Sequence, residues 1–210
     1  MTTRALVVYC HPDDESFVRA VRDRVVATLE ARHAEVRVDD LYADGFDPTF
    51  TATEHARHLE PGADPSLQAY VDDLVWCDTL VLVYPTWWSG QPAMLKGWID
   101  RVWVDGVAWS LPPGADRLER RLTNVRRLVA VTTHGSSKWV NAIEGESGKR
   151  TLTRSLRSMC HPLARTSWIA MYGVDTSSPE QRARFLVRVE RRIRRVPRIL
   201  TPRSRQSGGT

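Results

Sequence analysis

The sequence predicts one doubly wound α/β domain, with a five-stranded parallel sheet and helices on both faces. Three observations lead to this prediction: four short apolar runs, the helical patterns between them, and a length of 210 residues. Strands that are covered on both faces read as nearly continuous apolar runs. Regular alternation of strand and helix then requires right-handed crossovers within one sheet. We place the domain at residues 1–196 and expect the Arg-, Ser- and Gly-rich tail, residues 197–210, to be disordered.

The predicted strands are four apolar runs and a weaker edge candidate in which apolar and charged residues alternate. In chain order they are residues 5–10, 36–38 (the edge candidate), 79–84, 128–133 and 167–172. The predicted helices are residues 17–32, 67–76, 94–103, 149–159 and 179–196. The last helix has a Ser178 cap followed by Pro179 at its first position, a favourable helix start.

Composition restricts the class of protein. No apolar stretch approaches the roughly 20 residues that span a bilayer, so we expect no membrane insertion. The start lacks a signal-peptide cleavage site, and the three cysteines have no metal or redox spacing, so we expect a cytoplasmic protein with reduced thiols. The net charge of +5 comes largely from late arginines. These lie between apolar residues at helical spacing, which is typical of a solvated helix face, so we expect no nucleic-acid partner.

The segment His11-Pro12-Asp13-Asp14-Glu15 follows the first predicted strand and has two interpretations. It resembles the signature of zinc-dependent sugar N-deacetylases, in which the His and the second Asp bind metal and the first Asp acts as base. However, the chain offers no late His near another Asp as a third ligand. Alternatively, the segment leads into a helix whose free N–H groups and positive dipole end attract phosphate. The segment alone does not separate these interpretations.

Residues 84–103, YPTWWSGQPAMLKGWIDRVW, carry a longer pattern. Two tryptophans on a loop at the carboxyl edge of a sheet suit the walls of a flat apolar ring system. The stretch resembles the flavin-binding loop of the NAD(P)H:quinone oxidoreductase family, the DT-diaphorase or modulator-of-drug-activity group. Residues 92–102, PAMLKGWIDRV, carry the most specific part of the resemblance. Residues 40–48 and 131–135 resemble further family segments in the same order, so the resemblance covers most of residues 4–196.

The resemblance implies a flavodoxin-like fold, tightly bound FAD or FMN, and NAD(P)H as hydride donor. It implies two-electron ping-pong transfer to a quinone, or to an azo or nitro compound, by a homodimer, and no metal site. The implied cofactor-binding residues are His11, Ser16, Phe17, Pro85, Thr86, Trp87, Trp88, Ser89, Thr132, Thr133, His134 and Gly135. Some relatives instead regulate potassium efflux systems, so a flavin-binding regulatory subunit is an alternative beside the deacetylase.

Departures from the family pattern define open questions. His134 stands where the family has a glycine, so we expect it either to tune the flavin or narrow the acceptor pocket, or to turn to solvent. The implied substrate pocket contains Trp88, Trp109 and Trp139. Trp139 lies near the place of a family Tyr, and no His follows it to complete the family's proton relay. The choices between FAD and FMN, and between NADH and NADPH, stay open.

Overall fold

The computed structural model describes residues 2–195 and contains seven strands in that range. In chain order they are β1 (Arg4–Tyr9), β2 (Glu35–Asp40), β3 (Thr79–Pro85), β4 (Trp109–Ser110), β5 (Glu119–Arg120), β6 (Arg127–His134) and β7 (Arg165–Tyr172). Five of them form one sheet in the order β2-β1-β3-β6-β7, with every neighbouring pair parallel. The predicted fold class is therefore confirmed, and residues 36–38 do lie in an edge strand. The predicted tail and Val196 lie outside the described residues.

Eight α-helices of very different length accompany the strands in residues 2–195. They are α1 (Phe17–Glu30), α2 (Ala52–Ala56), α3 (Gln68–Trp76), α4 (Ala93–Val102), α5 (Lys138–Ile143), α6 (Ser147–Arg150), α7 (Arg157–Met159) and α8 (Pro179–Arg194). The sequence did not predict α2 or α5. The helix predicted at residues 149–159 is divided between α6 and α7, because a π-helical segment, Thr151–Leu156, separates them.

The strands alternate their side chains between two cores, as a sheet covered on both faces requires. On one face, Leu6 and Val8 of β1 pack with residues of α3 and α4, including the fully buried Trp98. On the other face, Val7 packs with α1 and α8, where Phe185 of α8 lies against Phe17 of α1 with ring centroids 6.1 Å apart. Helix α8 begins at the predicted Ser178 cap, which forms a reciprocal capping box with Gln181.

Close backbone approach fixes the long connection after β2. A Cβ placed on Gly97 of α4 would lie 2.4 Å from both the Cβ and the carbonyl oxygen of Pro48. Only a residue without a side chain allows this approach, so Gly97 holds the connection against α4. The later connection, between α4 and β6, contains the antiparallel ribbon of β4 and β5.

All three cysteines are buried free thiols in the core on the α3 and α4 face. Burial raises the pKa of Cys10 and of Cys160 to about 12, and it also raises the pKa of Cys77. All three side chains are therefore protonated at neutral pH and packed as small apolar groups. Among residues 2–195, no helix has the length and apolar composition that crossing a membrane would require.

Candidate functional site

A cleft of about 480 Å³ lies at the carboxyl ends of the central strands, beside the point between β1 and β3 where strand order reverses. In open α/β sheets, this switch point is where ligands bind. We call it the switch-point cleft. Its lining comes from five separate segments of the chain. The residues are His11, Ser16, Phe17, Val18, Pro85, Thr86, Trp87, Trp88, Thr133, Gly135, Val174, Asp175 and Arg182.

Two carboxylates of the acidic first loop are engaged by neighbouring groups, which leaves the start of α1 available to a ligand. The side chain of Asp13 accepts from the N–H of Glu15 at 2.9 Å, and Asp14 pairs with Arg19 at 2.7 Å. The N–H of Asp13 donates to Nδ1 of His11 at 3.0 Å. Ser16 caps α1 by accepting from the N–H of Arg19 at 3.2 Å. A helix start of this kind attracts an anion.

The donors of the HPDDE segment do not form a metal site. Nδ1 of His11 and the carboxylate of Asp14 are each engaged within the loop, by the Asp13 N–H and by Arg19. In the part of the chain that the structure describes, no group of three His, Cys, Asp or Glu side chains could hold a metal ion. The deacetylase interpretation needs a third ligand, and residues 2–195 place none beside His11 and Asp14.

A tight, strained turn follows β3. Trp87 and Gly90 exchange two backbone hydrogen bonds, at 3.2 and 3.0 Å, while Trp88 and Ser89 between them have φ values of 48° and 59°. Left-handed backbone is rare for a Trp, and such strain persists only where neighbours enforce it. The carbonyl of Ser89 accepts from the hydroxyl of Ser147 at 2.6 Å and from the N–H of Gly148 at 2.9 Å.

The turn presents its aromatic side chains outward. Trp88 is fully exposed and Trp87 is 43% exposed, although both are large apolar groups. The hydroxyl of Ser89 donates away from the cleft, to Glu144 in the α5–α6 connection. Segment 144–148 therefore holds one side of the turn in place. The other side of the turn faces the cleft and solvent. Exposed aromatic surface of this kind is typical of a binding site.

His134 lies behind the cleft wall. Its side chain is buried, with 5% of the residue exposed, and it stacks on Tyr172 with ring centroids 4.6 Å apart. Nδ1 lies 2.6 Å from Oδ1 of Asn141, and Nε2 lies 3.4 Å from the hydroxyl of Thr86. Thr132 is also buried, and its hydroxyl lies 2.8 Å from that of Thr86. His134 therefore neither turns to solvent nor lines the cleft, and its link to the cleft runs through Thr86.

Four residues of the lining are not among the predicted cofactor-binding residues. Val18 follows Phe17 at the start of α1, while Val174 and Asp175 follow β7. Arg182 of α8 donates to the hydroxyl of Ser177 at 2.9 Å and brings a cation to the wall. The carboxyl ends of parallel strands share one edge, so the segment after β7 could have been expected here. Arg182 carried no comparable sequence signal.

The two other tryptophans of the implied substrate pocket lie elsewhere. Trp139 is 73% exposed on α5 and does not line the switch-point cleft. Trp109 lines a second cleft of about 570 Å³, which lies against the end of α4. We call this the loop cleft, because the two long connections form much of it. Its apolar lining includes Phe50, Trp103, Trp109, Leu118, Leu156 and Met159, and its wall contains Glu54 and Arg101.

The switch-point cleft has the groups that a flavin requires. The capped start of α1 and Arg182 suit a phosphate. The backbone of the Trp87–Gly90 turn and the hydroxyl of Thr86 suit the polar edge of a ring, and the tryptophans suit its apolar surface. Gly135 allows Asp175 to lie close to its backbone, because a Cβ at this position would be only 2.4 Å from Oδ2 of Asp175. The residues present thus fit a flavin.

Comparison with known proteins gives one family. The family described as having a flavodoxin-like fold matches residues 3–196. An uncharacterized NAD(P)H oxidoreductase of Escherichia coli, YcaK, is 34% identical over 108 residues, which are 50% of this chain and 55% of that protein. NAD(P)H dehydrogenase (quinone) 1 of Cavia porcellus is 29% identical over 150 residues, 63% of this chain and 54% of that protein. The chain thus spans about half the length of these curated relatives.

Solved structures agree with this fold. The crystal structure of Smu.1420 from Streptococcus mutans is similar to the chain with a TM-score of 0.79 and 28% sequence identity. The similarity covers 91% of this chain and 99% of that one. The order of strands and helices is therefore shared over nearly all the described residues.

Proposed function

We propose that this chain, which belongs to the family of flavodoxin-like-fold proteins that includes the NAD(P)H:quinone oxidoreductases, is a flavin-dependent NAD(P)H:acceptor oxidoreductase. One observation carries the proposal. Nine of the residues that the sequence pattern associates with a flavin lie in the one switch-point cleft, although they come from three separate segments of the chain. They are His11, Ser16, Phe17, Pro85, Thr86, Trp87, Trp88, Thr133 and Gly135.

Each wall of the cleft has a separate task in this proposal. The start of α1, with Ser16 and His11, holds the phosphate, and Arg182 adds a positive charge from α8. The backbone of the turn at Trp88 and the hydroxyl of Thr86 hold the polar edge of the flavin ring. Backbone N–H donors placed at that edge favour the negative charge that a reduced flavin carries. A bound flavin accepts a hydride from NAD(P)H and passes two electrons to the acceptor.

The acceptor in this proposal is a quinone or a related flat, electron-poor ring. The exposed faces of Trp87 and Trp88 suit stacking on such a ring, and no strongly polar group on the turn would exclude it. Because the reaction alternates two substrates at one face, the proposal also includes ping-pong kinetics.

A homodimer forms part of the proposal. The loop cleft exposes apolar side chains, with Phe50 40% and Leu118 48% exposed, on the face formed by the two long connections. An aromatic-lined surface of this kind suits contact with a second copy, which would bring Trp109 close to a partner's bound acceptor. Sedimentation velocity of the full chain tests this directly, and a monomer at micromolar concentration contradicts it.

The decisive experiment identifies the cofactor and then separates the two half-reactions. Purified protein is heated, the released compound is identified by chromatography as FMN, FAD or neither, and zinc is measured in the same sample. Anaerobic mixing with NADPH or NADH then follows loss of flavin absorbance, and menadione is added to follow its return. Reduction by the nucleotide and reoxidation by the quinone, each without the other substrate, support the proposal.

The alternatives give different outcomes in the same samples. Stoichiometric zinc with no flavin, even after incubation with FMN and FAD, would favour the deacetylase interpretation instead. Bound flavin that neither nucleotide reduces would indicate a regulatory flavin-binding protein. Either result overturns the proposed reaction.

A further inference from the structure

Three hydrogen bonds fix the orientation of the Asn141 side chain behind the switch-point cleft. Its amide nitrogen donates to the hydroxyl of Ser136 and to the carbonyl of Ser137, each at 2.8 Å. The amide oxygen therefore faces His134, 2.6 Å from Nδ1. A carbonyl oxygen only accepts, so Nδ1 of His134 carries a hydrogen. In a neutral ring, Nε2 is then a bare acceptor.

That acceptor points at a residue of the cleft wall. Nε2 of His134 lies 3.4 Å from the hydroxyl of Thr86, and the backbone N–H of Thr86 is held by the carbonyl of Thr133 at 2.7 Å. The hydroxyl of Thr132 lies 2.8 Å from the hydroxyl oxygen of Thr86. Thr86 thus has two buried partners behind it, while it borders the cleft in front. A threonine hydroxyl has a single hydrogen. The buried partners of Thr86 therefore decide whether its hydroxyl can donate to a ligand in the cleft or can only accept from it.

We propose that His134 is a positioning residue whose protonation state sets the polarity of the Thr86 hydroxyl toward the bound ligand. We assign Thr132 as the donor to Thr86, because the alternative acceptor of its hydroxyl, the Thr133 carbonyl oxygen, is farther away at 3.5 Å. With neutral His134, Thr86 then donates its own hydrogen to Nε2 and presents lone pairs to the cleft. With protonated His134, Nε2–H donates to Thr86, whose hydrogen is released toward the cleft. This inference rests on the proposed function, since it concerns how the flavin site recognises the acceptor atoms of the ring edge.

The surroundings of His134 favour the neutral ring at rest. Burial lowers the pKa of His134, while the hydrogen bond that Nδ1 donates to Asn141 and the negative charges of Glu146 and Glu144 raise it. Tyr172 of β7 stacks on the ring with the two centroids 4.6 Å apart. In the cleft itself, His11, Asp175 and Arg182 also face the ligand, so a test must separate their effects from that of His134.

The first test needs no flavin. Nitrogen NMR of histidine-labelled, flavin-free protein reports which ring nitrogen of His134 carries the proton, and a pH titration follows its protonation. We expect a protonated Nδ1 at neutral pH. Asn141→Asp places a carboxylate against Nδ1 and should raise the titration midpoint by at least about one pH unit. A neutral ring protonated at Nε2, or an unchanged midpoint in Asn141→Asp, would overturn the inference.

The second test measures riboflavin affinity by fluorescence quenching between pH 5 and pH 8. Riboflavin lacks the phosphate, so the ligand itself does not titrate at the anion site. Protonation of His134 should tighten binding about fivefold, the value of one added hydrogen bond of about 1 kcal/mol. Thr86→Ser should retain this pH dependence. Thr86→Val should lose it, although His11 and Asp175 remain in place.

The outcomes separate the two proposals. Riboflavin binding with the same pH dependence in Thr86→Val overturns the role of His134 and leaves the proposed function standing. Absence of riboflavin, FMN and FAD binding at every pH overturns the proposed function, and this inference with it.

Discussion

The switch-point cleft and the loop cleft differ in what holds them in place. Strand ends, helix starts and one braced turn form the first, so the topology of the sheet fixes its position. Two long connections form much of the second, and they are held by side-chain and backbone contacts between residues far apart in the chain. We therefore expect substitutions in the switch-point cleft to change mainly ligand affinity. Substitutions in the connections that form the loop cleft should change mainly the free energy of unfolding.

The largest effect is expected where the long connection after β2 meets α4. Gly97→Ala places a methyl group 2.4 Å from the backbone of Pro48, and backbone cannot move aside cheaply. Although Ala is favoured over Gly in a helix, we expect a net loss of about 3 kcal/mol or more in the free energy of unfolding. Urea denaturation measures it. The exposed Lys96→Ala on the same helix should change it by about 0.5 kcal/mol at most. Equal stability of the two variants would contradict the close approach.

A buried carboxyl on the same face of the sheet provides a pH-dependent test. Burial, followed by the charge and hydrogen bond of Asp73, raises the pKa of Asp39 to about 8, and its Oδ2 has no partner among the described residues. Between the ordinary pKa of an aspartate and pH 8, the Asp39 carboxyl is protonated in the folded state and ionised in the unfolded state. The free energy of unfolding therefore falls as pH rises through that range. Asp39→Asn keeps a donor for Asp73 without the titration.

We expect Asp39→Asn to be more stable than the natural chain by about 2 kcal/mol at pH 9, with a flatter dependence below it. Denaturation at pH 5, 7 and 9 measures this. The exposed Asp72→Asn is the control and should keep the natural slope. A natural chain whose stability rises from pH 5 to pH 9 would contradict the assignment.

The ion pair in the wall of the loop cleft should have an intermediate effect. Nε of Arg101 donates to Glu54 at 2.6 Å, with only 9% and 13% of the two side chains exposed. Glu54→Gln keeps an acceptor for the cap at Thr51 but removes the charge that Arg101 faces, so we expect a loss of about 1–2 kcal/mol. The exposed pair of Arg57 and Glu60 is the comparison, and Glu60→Gln should cost less than about 0.5 kcal/mol. A loss in Glu60→Gln as large as in Glu54→Gln would contradict the difference in burial.

The smallest effect on stability, with a clear effect on binding, is expected in the switch-point cleft. A Cβ on Gly135 meets only the far end of the Asp175 side chain, which can turn away into the cleft. Gly135→Ala should therefore weaken flavin binding about tenfold, or about 1.4 kcal/mol, with little change in unfolding. Gly90→Ala is the matched control, because its Cβ would make ordinary contacts at 3.8 Å. If Gly135→Ala lowered the free energy of unfolding but left flavin affinity unchanged, the proposed difference between the two clefts would be wrong.

The sequence predicted the sheet because apolar runs and helical periods are local signals. Each main strand appears within one or two residues of its predicted bounds, and the Ser178 cap lies where the pattern places it. The position of the switch-point cleft followed for the same reason, since a parallel sheet puts all its strand ends at one edge.

Other features depend on contacts that no local pattern contains. The burial of His134 requires Asn141 on one side and Tyr172 on the other, and the sequence did not predict the helix that carries Asn141. The placement of Trp109 in the loop cleft depends on how the β4–β5 ribbon folds back on α4. Arg182 reaches the switch-point cleft only because α8 packs beside α1.

The three buried cysteines have a consequence for the proposed flavin-dependent reaction. Flavins that react with dioxygen release peroxide, and peroxide attacks thiolates rather than thiols. Cys10, Cys77 and Cys160 are protonated and enclosed, so the chain offers such oxidants no reactive sulfur from cysteine. Core packing therefore keeps the three cysteine thiols away from this oxidant.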